Sequence, residues 1–317
     1  MSAMSFDSPI GSDRPVATVS VDVDPVDLHL IGYGYPGLPA DPLVYTKALP
    51  RLLEIFGRCG VRATLFVVGR DAAAQAPSLA ALAAGGHEVA SHSFSHPMAF
   101  ASLGKAGMRD ELERSRAALE AATVHAVSGY RSPNFDMDRA ALRVLAECGY
   151  RYDASAYPTP LLLPARLLLA FKSSDRAAVL RLKPWPFSFD RRPSLFRFGA
   201  QSLHEFPASV TPVLRLPIYH TLRYSLTDAR FASALDGFVT RAEPFSYCLH
   251  AVDVLGLEED AVDRRLAKHP GMDWPLAKKL ELLEKSLRSI VERFAIATFE
   301  ERLLIEEPLA AETAEAR

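Results

Sequence analysis

Apolar positions in the first half of the chain switch repeatedly between a period of two and a period near four, and that switching predicts the architecture. Val16 to Val23 is rich in β-branched residues and alternates, so it reads as a buried strand. Gly32 to Pro42 is a Gly/Pro-rich loop, and a helix capped by Asp41 follows it and ends at Gly60. Val61 to Val68 is a second strand, Ala76 to Ala84 a short helix closed by Gly85-Gly86, and His87 to Ala90 a third strand. Met108 to Ala122 is a charged amphipathic helix, Ala126 to Tyr130 a strand, Asp138 to Glu147 a helix, and Tyr150 to Ser155 another strand. This β-α-β-α order calls for a parallel sheet or barrel with helices outside.

Residues 158–225 break the rhythm with prolines and aromatics and are read as an insertion, not a separate domain. The pattern resumes at Asp228. Phe245 to His250 is a strand, Pro275 to Arg293 a helix and Phe294 to Phe299 a closing strand. The expected organisation is one barrel domain over 16–306, an extended or disordered N-terminus over 1–15 and a frayed Ala/Glu-rich tail over 307–317. No internal repeat is visible.

Composition narrows the class. A chain of 317 residues with 49% apolar positions can bury the core of one large α/β barrel. A net charge of −2 gives no general attraction for nucleic acid, and no recognition motif for it is present. The three cysteines, Cys59, Cys148 and Cys248, are dispersed and odd in number, which fits a reducing, cytoplasmic compartment. Met1 to Arg14 lacks an apolar signal core, and the longest apolar stretch, Leu161 to Phe171, is interrupted by Pro164 and Arg166.

Two short segments then carry the chemistry. In Ser20-Val21-Asp22-Val23-Asp24-Pro25, alternation puts Asp22 and Asp24 on one face of a strand, where two carboxylates repel unless a cation or proton intervenes. His92-Ser93-Phe94-Ser95-His96-Pro97 places two imidazoles four apart just after a predicted strand. Alone, the first reads as a turn cap and the second as a surface pair. Together they offer an Asp/His/His set of the catalytic zinc type, or the facial triad of non-heme iron oxygenases. The α/β alternation and the spare acid Asp22 favour hydrolysis. Three further segments sit at predicted strand C-termini, where a β/α barrel builds its site. They are Gly129-Tyr130-Arg131-Ser132-Pro133-Asn134-Phe135, Tyr150-Arg151-Tyr152-Asp153-Ala154-Ser155 and Tyr247-Cys248-Leu249-His250-Ala251-Val252-Asp253.

In this order the five segments resemble the motifs of the polysaccharide deacetylases, the NodB-homology group of carbohydrate esterase family 4, over roughly residues 16–300. The D-V-D form and the H-A-x-D ending are most similar to enzymes acting on lipid-linked amino sugars, such as the arabinose-lipid deformylases. The resemblance implies a distorted (β/α)7 barrel of α/β class. It implies Asp24, His92 and His96 as ligands of one divalent ion, with zinc expected and cobalt, nickel, manganese or iron also accommodated by such donors. It makes Asp22 the general base, held by Arg131, and His250 the general acid, oriented by Asp153. It assigns oxyanion and substrate binding to the Pro133–Asn134 segment. Asn134 stands where the family carries an aromatic, and the fourth motif lacks its Trp.

The expected activity is removal of a formyl or acetyl group from an amino sugar, on a polyprenyl phosphate or glycolipid, at the cytoplasmic membrane face. Residues 161–198 mix Leu, Trp and Phe with cations and suit peripheral membrane contact. A helix packed on the barrel with snorkelling arginines is the plainer alternative. Two other functions compete: a soluble allantoinase-like amidase on a non-sugar amide, and a non-catalytic sugar- or lipid-binding relative. The second has no use for Asp22, Arg131 and His250 together.

Overall fold

The computed structural model describes residues 13–162 and 190–306, together with the single positions 164, 166, 167, 170, 176, 179 and 182. Strand β1 (Val16–Val23) is buried along nearly its whole length because both of its neighbours, β2 (Ala63–Val67) and β8 (Phe245–His250), pair with it in parallel. The remaining strands are β3 (Glu88–Ser91), β4 (Gly129–Tyr130), β5 (Tyr152–Asp153), β6 (Ser194–Phe198), β7 (Gln201–Glu205) and β9 (Ala295–Ile296). The sheet runs in the order β6-β7-β5-β4-β3-β2-β1-β8, with β9 on the first residues of β1. Among the described strands every pairing is parallel except β6 with β7, and the sheet curls into a half-barrel.

The helices of the described residues include α1 (Val26–Gly32), α2 (Leu49–Cys59), α3 (Ala76–Ala84), α4 (Gly104–Thr123), α5 (Arg139–Glu147), α6 (His220–Arg223), α7 (Asp228–Thr240) and α8 (Leu276–Val291). Local chemistry sets their ends. Gly60 closes α2 in the left-handed region at φ 66°, which a side chain would oppose. Asp138 caps α5 by accepting from the Ala141 amide at 2.9 Å. Asp41 accepts from the Leu43 amide at 2.8 Å, but the helix predicted from there opens with a π-helical turn, Val44–Ala48, before α2 begins.

Two parts of the sequence reading change. Helix α1 is too short to show a period and was covered by no expected element. Part of the expected insertion joins the main sheet: β7 pairs in parallel with β5, and β6 returns as the antiparallel edge. Most of the predicted interfacial stretch, the N-terminal residues 1–12 and the tail 307–317 lie outside the described residues.

Most buried apolar side chains form one cluster around β1 and its flanking helices. A smaller cluster, including Phe66, Tyr152, Phe206 and Phe299, packs beside it. Tyr152 reaches across β4 to donate to Glu88 Oε1 at 2.6 Å. Its ring fills the space a side chain on Gly129 would need, since a Cβ there would lie 1.9 Å from Tyr152 Cζ.

Candidate active site

Asp22 is the penultimate residue of β1, in register with Phe66 on one side and His250 on the other. Asp24 follows just past the strand end. His92 follows β3, and His96 lies in a loop where Ser93 and His96 adopt φ 64° and 59°, positions uncommon for residues other than glycine. Glu111 of α4 pins that loop. Its carboxylate accepts from the Phe94 and Ser95 amides at 2.9 and 2.8 Å and from Ser95 Oγ at 2.6 Å. The Ser93 hydroxyl accepts from the His96 amide at 3.0 Å. Asp24 Oδ1 consequently stands 3.2 Å from His92 Nε2 and 3.6 Å from His96 Nε2.

These three residues suit a divalent cation on grounds visible in the site itself. Their ligand atoms all lie within 4.8 Å of one another. Asp24 Oδ1 is buried with no hydrogen-bond partner. His92 Nδ1–H donates to the Arg131 carbonyl at 2.7 Å, which fixes the tautomer that leaves Nε2 free as a ligand. Burial lowers His92 to about 4 and holds His96 well below the ordinary imidazole value, so both keep their lone pairs at neutral pH. Burial, and then the neighbouring Asp22 carboxylate, raise Asp24 well above the usual carboxylate range. A cation between these donors removes that conflict.

Arg131 occupies the space behind Asp22. It donates from Nη1 to Asp22 Oδ1 at 2.6 Å, from Nη2 to Ser20 Oγ at 3.0 Å and from Nε to the Ala154 carbonyl at 3.0 Å. The guanidinium carbon rests 4.1 Å from the Phe66 ring centroid. Burial pushes Asp22 upward, but the charge and hydrogen bond of Arg131 lead the opposing effects and leave this carboxyl below its ordinary value. The other oxygen, Oδ2, lies 3.9 Å from His250 Nε2.

Asp153 does not orient His250. Its carboxylate accepts from Ser155 Oγ at 2.7 Å and from the Ser155 amide at 3.1 Å, and it faces Glu205. The sheet order explains the separation, because β5 and β8 lie far apart along it. The acid beside His250 is Asp253, which accepts from the His250 amide at 2.8 Å and from Tyr224 OH at 3.2 Å. Asn134 lines the cavity at φ 56°, and its side-chain amide donates to the Met98 carbonyl at 3.2 Å. Pro133 is buried and opens the tight turn that presents Asn134 and Phe135. Phe135, one residue beyond the expected aromatic position, lines the cavity and stacks on Tyr157 at 4.8 Å.

The cavity measures about 230 Å³ and holds Asp22, Asp24, His92, His96 and His250 on its wall. Sequence reasoning missed His29, Tyr33 and His269, which line it as well. The available signal was a histidine five residues after Asp24, in a segment assigned to no element.

Residues 38–152 match the polysaccharide deacetylase family. The peptidoglycan deacetylase of Helicobacter pylori (strain ATCC 700392 / 26695) is 29% identical over 139 residues, 43% of this chain and 47% of that one. The match therefore spans about half the length of that curated relative. Among solved structures, a Mycobacterium smegmatis protein described as a polysaccharide deacetylase superposes with a TM-score of 0.61 at 18% identity, over 98% of this chain and 96% of that one. A Pseudomonas aeruginosa PAO1 protein described in the same way gives 0.56 at 15% identity, over 90% and 88%. Puue allantoinase gives 0.55 at 13% identity, over 92% and 90%. At these identities the structural likeness is one of fold.

Proposed function

Residues 38–152 match the polysaccharide deacetylase family, and we propose that this chain is a member of it, a metal-dependent hydrolase that removes an N-acyl group, formyl or acetyl, from an amino sugar. The observation that carries the reading is the convergence of Asp24, His92 and His96 around one point, with Asp22 and His250 beside it. A divalent ion held there, zinc in the first instance, supplies Lewis acidity toward the acyl oxygen and acidifies water toward a pKa of ~7. Asp22, kept ionised by Arg131, takes the proton from the attacking water. His250 gives a proton to the departing amine nitrogen, a poor leaving group until protonated. The cavity edge formed by Asn134 faces the acyl oxygen and supplies a donor to it. Asp253 fixes the backbone from which His250 projects.

The finer proposal is a substrate carried on a polyprenyl phosphate or glycolipid and met at the cytoplasmic face of the membrane. Residues 158–225 hold ten Lys or Arg against three Asp or Glu, in a chain whose overall balance is −2. Val213 and Leu214 in the same stretch are 88% and 66% exposed. Such a pairing of cations with exposed apolar tips suits an anionic leaflet. Among the described residues no helix is long and apolar enough to cross a membrane, so contact would be peripheral.

The test is elemental analysis together with a screen of N-formyl and N-acetyl amino sugars, free and lipid-linked, against ureides. One divalent ion per chain and release of formate or acetate from an amino sugar are expected. Protein that binds no divalent ion, or that hydrolyses ureides alone, defeats the reading. Flotation with anionic vesicles tests the membrane part, and absence of the protein from the lipid fraction removes it.

A further inference from the structure

At the cavity wall, three side chains from two distant segments meet. Helix α1, which starts two residues after Asp24, carries His29 and ends just before Tyr33. The short 3-10 turn Arg264–Lys268 delivers His269. The His29 and His269 rings lie edge to face with centroids 5.2 Å apart, and Tyr33 OH lies 3.3 Å from His269 Nδ1. His250 closes the group, 5.6 Å from His29 and 6.2 Å from His269. The His29 side chain is only 10% exposed, yet its Nε2 has no hydrogen-bond partner, and neither has the buried Nε2 of His269. Buried polar atoms left this way are completed by a ligand or an ordered water, and His29 Nε2 also lies 4.0 Å from Asp24 Oδ2.

The chemistry of these side chains says what kind of ligand. A hydroxyl can either donate to or accept from an imidazole. Another part of the cavity lining is flat and apolar, with Phe135 backed by Tyr157 and with Met98. One polar wall and one flat apolar wall match a sugar ring, which has a hydroxyl rim and a C–H face.

We propose that His29, Tyr33 and His269 form a hydroxyl-binding wall that receives the ring of the substrate. This deepens the proposed amino-sugar reading and rests on it for the identity of the ring. As hydrogen-bonding groups left unpaired by a wrong ligand, these side chains would set specificity, not chemistry.

Calorimetry on the zinc-loaded protein tests this, with N,N′-diacetylchitobiose as the probe, alongside its turnover. The wild-type protein binds the disaccharide. His29→Phe and His269→Phe weaken that binding and raise KM by roughly tenfold or more, the scale set by unpairing a buried polar contact. Zinc content and melting midpoint stay at the wild-type level, and His269→Gln, which restores a polar atom, recovers most of the affinity. Unchanged disaccharide affinity in the phenylalanine variants, or a loss confined to kcat, overturns the proposal. So does a wild-type protein that does not bind the disaccharide, whatever amide it hydrolyses. Histidine-dependent binding without release of acetate instead rejects the proposed hydrolysis and leaves the wall standing.

Discussion

Two pairs of buried side chains in this barrel begin from the same condition and end in opposite ones. Asp22 and Arg131 are both almost fully buried, and so are Asp153 and Glu205. The first pair joins opposite charges at 2.6 Å, and Asp22 ends below its ordinary pKa. The second pair sits directly across two parallel strands, acid against acid. Burial raises Asp153, while burial and the Asp153 charge raise Glu205 well above the usual range. Two carboxyls in contact in a dry interior share a proton. Burial is common to both pairs, so the guanidinium makes the difference. One acid is held ready to take a proton, and the other pair is held from giving one up.

The sharpest way to break the contrast is Arg131→Met, which strands the Asp22 charge in the interior. A loss of about 3–5 kcal/mol in urea unfolding is expected, together with loss of turnover. A variant of wild-type stability would mean that Asp22 is neutral in the native protein. Asp22→Asn keeps a side-chain oxygen for Arg131 Nη1 but leaves that buried guanidinium without its countercharge, so some stability is lost as well. It should keep its metal by elemental analysis and lose roughly 10²–10⁴ in kcat, the range for a general base. Full activity in that variant would strip Asp22 of its role.

A third buried acid, Glu88, sharpens the pH side. Burial raises it to about 7 despite hydrogen bonds from Tyr152, Thr64 and the Glu300 amide. The native state then holds more protons than the unfolded state between pH ~4.5 and ~7, so stability is full below that window and declines as pH rises through it. The decline should be on the order of 1.4 kcal/mol for each pH step of one across the window. Urea titrations of Glu88→Gln should be flatter there, and an unchanged slope would exclude Glu88 as its source. Glu205→Gln should do least: under about 1 kcal/mol, because an amide keeps a polar contact to Asp153 without adding a second buried charge. A loss of several kcal/mol there would show that Glu205 is charged in the fold.

How much of this was legible depended on whether a residue's role is set locally. Asp22, Asp24, His92 and His96 could be read because alternation in β1 and the exit from β3 fix their directions within a few residues. Arg131 and His250 could be read from their places at strand ends. Asp153 was given the wrong partner because strand order, not strand identity, decides which carboxylate reaches His250. Glu205 was invisible because β7 arises in a proline- and aromatic-rich stretch whose pattern gives no hint of a sheet strand. His29 and His269 are more than two hundred residues apart in sequence, and only the packing of α1 against the Arg264–Lys268 turn brings them together.

Gly129 lies in β4 and is not among the residues that line the cavity. Even so, replacing its hydrogen with a methyl group would evict the Tyr152 phenol, and with it the Glu88 contact on β3. A saturation scan of this chain scored by growth or colour would therefore rank Gly129 among the most intolerant positions, beside Asp24. Such a scan measures harm, and in this barrel harm and chemistry point to different residues.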